Sequence, residues 1–187
     1  IDCFHPNYLT GLAFRGIYVP GKIYKGYDPN TKLPIEMTEA ERASFAISET
    51  DEKTKIYRYS RSNAGDASES NALYFINRGV LEDYEKEHLD DSAVVTEFDA
   101  EREPINNLLG FICYYNLWLR HYNNENADPQ ISYPMEYATV RNNIYRVSVS
   151  FSGPGDPSPT MREPDTMKAR IFVRKWNYRE EETFYFE

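Results

Sequence analysis

The sequence predicts an all-β fold, a β-sandwich with one or two short helical insertions, and three observations carry that expectation. Tyr occurs 16 times and Phe 10 times against only 9 Gly in 187 residues, an enrichment in side chains that suit a half-buried pleated surface. In GFICYYNLWLRHY the residues Phe111, Cys113, Tyr115, Leu117 and Leu119 fall on one face at the strand period of two. Tyr145, Val147, Val149 and Phe151 then alternate with Arg146, Ser148 and Ser150, a second clear strand. With no break in composition, residues 1–187 read as a single domain around one core.

The elements follow in order. LAFRGIYV, ending at Pro20-Gly21, reads as a strand and turn. GYDPNTKLP reads as a long, Pro-punctuated stretch, and Thr38 to Glu41 has capping-box spacing that predicts a short helix to about Ala46. TKIYRYS and NALYFIN form a predicted hairpin around the polar loop RSNAGDASES. Between Glu82 and Glu103 ten acids face Lys86 and Arg102, with Leu81, Tyr84 and His88 at helical spacing; a short helix followed by an acidic loop is expected. SGPGDPSP separates the strand ending at Phe151 from a last pair, MKARIFVRKW and EETFYFE.

Several function classes are excluded on chemical grounds. A formal charge of −9 repels nucleic acid and anionic membrane surfaces. No stretch approaches a membrane span, and IDCFHPNYLT carries no signal-peptide pattern, so the chain reads as excised from a longer precursor. Cys3 and Cys113 match no zinc or redox spacing. Cys113 is expected as a buried free thiol, with pairing to Cys3 left open. His5, His88 and His121 are far apart and no GxSxG elbow occurs, so no triad is expected, and His88 reads as an ordinary solvated histidine. No calcium loop or phosphate loop is spelled out. No catalytic residue, metal ligand or cofactor is therefore expected, and the chain is not read as an enzyme.

The feature that invites a binding role is a set of aromatics without a clear place in the core: Tyr114, Trp118, Tyr122, Phe172 and Trp176, with Tyr185 in the tail. Aromatic platforms bind glycans as well as protein strands. They can equally pack beneath loops or against a neighbouring domain.

YPMEYATVRNNIYRVSVSFSGPGDPSP resembles the signature near the C-terminus of Bacteroidales-type fimbrillins, the type V pilins. The resemblance is carried by Val140-Arg141-Asn142-Asn143 leading into Ile144-Tyr145-Arg146-Val147, by Gly155-Asp156-Pro157, and by the closing KARIFVRKWNYR. It extends from about Leu73 to the end. It implies a transthyretin-like Greek-key sandwich and a structural subunit of a surface fimbria, derived from a lipoprotein precursor at the outer membrane and polymerised by donor-strand exchange. The implied partners are neighbouring fimbrial subunits, with host or bacterial surface receptors for adhesion. In the tail, Thr183 and Tyr185 alternate with Phe184 and Phe186, and the resemblance makes these four residues the expected donor strand. The competing expectation is a glycan-binding or tip-adhesin module built on the exposed aromatics; a hydrolase is a third, unsupported by any motif.

Overall fold

A computed structural model describes residues 11–48, 53–61, 72–88, 93–119, 139, 143–159 and 167–175. Nine strands and two short helices are found among them: β1 (Gly11–Tyr18), β2 (Tyr24–Asp28), β3 (Leu33–Glu36), α1 (Glu39–Ser44), β4 (Lys55–Arg61), β5 (Ala72–Phe75), α2 (Arg78–Glu87), β6 (Ala93–Arg102), β7 (Leu109–Trp118), β8 (Asn143–Phe151) and β9 (Met167–Lys175). The class is all-β, as the aromatic composition and the alternating runs predict. The chain clusters into two compact units, one of residues 13–116 and 151–167, the other of residues 1–12, 117–150 and 168–187.

In the first unit the strands hydrogen-bond in the order β1-β7-β6-β4-β5-β2-β3. The ladder is divided at β6. Ala93 to Asp99 pair antiparallel with β4, Lys55 opposite Asp99 through Arg61 opposite Ala93. Only Ala100, Glu101 and Arg102 pair with β7. One long strand thus passes from one sheet to the next, a corner that folds a continuous ladder into two facing layers. The period of two then fixes what lies between them. Ile56, Tyr74, Phe98 and Ala100 from one layer and Phe111, Cys113 and Tyr115 from β7 form a single buried cluster, lined at its edge by Phe14 and Tyr18.

The residues in between face outward. Tyr59 and Phe75 bury against Leu81 and Tyr84 of α2, the helical positions that the sequence singles out. Asn77 caps this helix through a bond from the Gly79 amide, 2.7 Å. His88 ends it half-buried, its ring stacked on Tyr84 at 4.2 Å. The expectation of a solvated histidine is corrected: the C-cap position turns the imidazole onto the aromatic cluster.

Two strand assignments also differ from expectation. The acidic stretch after α2 is β6, because its carboxylates alternate: Glu97, Asp99 and Glu101 stand on the outer face, where Lys55, Lys53 and Arg15 meet them, while Phe98 and Ala100 point inward. GYDPNTKLP, where the sequence predicts no strand, spans the β2–β3 hairpin, with Tyr27 opposite Pro34. Its turn is closed by the Asn30 amide donating to Asp28 Oδ1 at 2.9 Å and by Lys32 at φ 56°, local bonding typical of Asp and Asn.

The predicted capping box forms. Glu41 N donates to Thr38 Oγ1 at 3.3 Å and Glu41 Oε2 accepts from the Thr38 amide at 2.9 Å. Arg102 donates to the carbonyls of Arg42, Ala43 and Phe45, satisfying the free C-terminal end of α1. The bond from Lys25, followed by those from Thr38, lowers the Glu41 carboxyl from 4.5 to about 2. Because the folded value lies below the ordinary one, this stabilisation is present above pH 4.5 and lost as pH falls towards 2. NMR titration of the Glu41 side chain should show a midpoint of about 2, with Lys25→Ala moving it back up towards the ordinary Glu value. A midpoint near 4.5 in the wild type would contradict the bond.

In the second unit, among the described residues, β8 and β9 form a two-stranded ribbon. Ser150 Oγ donates to Lys168 O, which sets the end of β8 beside the start of β9, an antiparallel arrangement. Tyr145, Val147 and Val149 with Ala169, Ile171 and Val173 are half-buried, whereas Arg146, Ser148, Ser150, Lys168, Arg170 and Phe172 are exposed.

Candidate assembly surface

β7 carries two of the expected contact residues, Tyr114 and Trp118, and its two faces behave differently. The inward face is closed: Phe111 is fully buried, and Cys113, Tyr115, Leu117 and Leu119 are buried as well. Cys113 is a free thiol whose Sγ donates to Tyr115 Oη at 3.5 Å, while Tyr115 Oη donates to Gly153 O at 2.8 Å. Tyr115 also stacks on Phe151, ring centroids 4.3 Å apart. Cys3 lies outside the described residues.

Cys113→Ser replaces a thiol by a more polar hydroxyl on a shorter bond, which sits further from Tyr115 Oη and loses that partner. Denaturation should register a loss of about 1–3 kcal/mol. Rapid modification of Cys113 by a thiol reagent under native conditions would contradict its burial.

The other face of β7 is less open than an amphipathic strand suggests. Asn116 is buried, with Nδ2 unpaired. Tyr114 is half-buried, and its backbone exchanges two bonds of 2.8 Å with Asp156. This isolated bridge occupies the edge of β7 beyond the point where β6 departs. SGPGDPSP therefore does more than separate strands: residues 153–155 are buried. A Cβ on Gly155 would lie 2.2 Å from Tyr114 O, so only glycine permits this approach.

Trp118 is half-buried, its ring 3.4 Å from where a Cβ on Gly11 would stand. Phe172 is 56% exposed on β9. Tyr122, Trp176 and the tail positions Thr183, Phe184, Tyr185 and Phe186 lie outside the described residues. Of the candidates described, Phe172 presents an open aromatic face, while Tyr114 is held by a loop.

The outermost strands differ in their capacity to pair. β3 carries Pro34, which lacks a donor, and exposes Leu33 and Ile35; a proline on an edge strand weakens it as a template for another strand. β1 has no proline in Gly11–Tyr18. The placing of proline is plain in the sequence; that these two strands are the edges among the described residues follows only from the order of the ladder.

Residues 110–182 match the family described as "Major fimbrial subunit protein type IV, Fimbrillin, C-terminal". This segment is similar to fimbrillin C-terminal regions. The fimbrillin match begins inside β7, takes in the Asp156 bridge and both strands of the ribbon, and starts later than the resemblance read from Leu73. No curated protein and no solved structure gives a significant match to the chain.

Proposed function

We propose that residues 1–187 form the C-terminal domain of a fimbrial subunit, a structural and non-catalytic building block that polymerises by donor-strand exchange at the bacterial surface. The fimbrillin match over residues 110–182 carries the reading. The fold supplies the physical basis: among the described residues the ladder ends at β1 and β3, and an edge strand favours an added strand, with backbone bonds giving affinity and alternating side chains giving specificity. β1, free of proline, is the receptive edge of the two, and Thr183 to Phe186 are the donor. Neighbouring subunits are the partners, surface receptors follow from adhesion, and outer-membrane association runs through the lipid anchor of a precursor.

Phe184→Ala combined with Phe186→Ala removes the two large apolar side chains that a groove would receive. Cells producing the full-length double variant should carry fewer and shorter fimbriae by electron microscopy. Fimbriae of normal number and length would remove the donor role from these residues.

A further inference from the structure

The ribbon is chemically unlike the rest of the chain. Asn143–Phe151 and Met167–Lys175 contain five bases, Arg146, Lys168, Arg170, Arg174 and Lys175, and no acid. The chain as a whole is formally −9, so everything outside the ribbon sums to −14. In the first unit, most described cations are engaged: Lys22, Lys25, Lys32, Lys53, Lys55, Arg78 and Lys86 pair with carboxylates, whereas Arg58 Nε is buried without a partner. Arg42 and Arg102 hold backbone carbonyls. Arg146, Lys168 and Arg170 make no ion pair among the described residues, and they share the exposed face with Phe172. A two-stranded ribbon is marginal alone, and one presenting unpaired like charges around an open aromatic ring is less favourable still.

We infer that the exposed face of the β8–β9 ribbon, Arg146, Lys168, Arg170 and Phe172, docks on the acidic surface of a second copy of this chain. The inference rests on the fimbrial reading and adds a specific contact to it. Charge complementarity selects the occupant, since each copy offers one basic face and a remainder of −14. Such a contact is heterologous: ribbon meets a different surface, each copy keeps a free face of either kind, and growth continues without closing. Phe172 supplies the apolar anchor at the centre of a charged rim.

The experiment is sedimentation velocity of the purified chain over a concentration series, between about 0.1 M and about 1 M NaCl, where the screening length falls from about 10 Å to about 3 Å. Wild type should self-associate at low salt and weaken as salt rises. The triple variant Arg146→Glu, Lys168→Glu, Arg170→Glu should lose at least about tenfold in association and most of the salt dependence. Mixed with wild type it should still form pairs, because its acidic surface is intact, yet stop further growth. The neutral variant with Gln at the same three positions should fall between the two, and it carries the test if reversal disturbs the ribbon. Undiminished association of both variants, or a wild type that stays monomeric at either salt, overturns the contact. So does a triple variant that keeps self-association but loses retention on heparin, which would make the face an anionic-glycan site. Normal fimbriae on cells producing the full-length triple variant defeat the ribbon contact and leave the fimbrial reading standing; wild-type protein absent from fimbriae defeats that reading itself.

Discussion

Phe111→Ala is expected to cost about 3–5 kcal/mol, the range for removing a fully buried aromatic ring. Phe111 has no exposed surface. Its ring lies 4.3 Å from Phe98, 5.4 Å from Tyr18 and 5.6 Å from Tyr74. Those partners come from β6, β1 and β5, so one side chain joins both layers of the ladder at the corner made by β6. No neighbour can fill the gap without leaving its own strand register, so collapse around the cavity is limited. Urea denaturation should show a lower midpoint with little change in slope, and the melting temperature should fall by about 2–4 °C per kcal/mol lost. A cost below about 1 kcal/mol would mean that Phe111 is not the hinge of this core.

Removing Glu181 to Glu187 from the full-length protein is expected to abolish polymerisation while leaving the β7 core folded. The core is built from Ile56, Tyr74, Phe98, Phe111 and Cys113, none of which belongs to the tail. Cooperative unfolding of the truncated chain should therefore persist. A donor strand contributes through a run of backbone bonds and through side chains set in alternate pockets, so its loss is not compensated by any single remaining contact. Electron microscopy of cells producing the truncated protein should find no fimbriae. If fimbriae of normal length still form, the tail is not the donor and the proposed assembly route fails.

The two variants separate stability from assembly. Phe111→Ala should weaken the fold, and tail removal should weaken only the contact between copies.

Much of this protein is legible in its local sequence. The capping box at Thr38 and Glu41, the alternation around Phe111 and along Tyr145, Val147 and Val149, and the burial of Cys113 are local signals, because rotation per residue and hydrogen-bond reach act within a few positions. The β6 strand is partly legible in the spacing of Glu97, Asp99 and Glu101, but a run of acids reads as solvated loop until lysines from β4 and its approach are seen beside them. Only the tertiary structure decides that β6 serves two sheets, that Gly155 must come within contact of Tyr114 O, and that β1 and β3 end the ladder among the described residues. Pairing between strands distant in sequence is fixed by which faces bury together and which backbone groups remain unpaired. Neither quantity is a property of any one segment: the sequence determines each strand and its apolar face, and the packing of those faces determines which strand is left open.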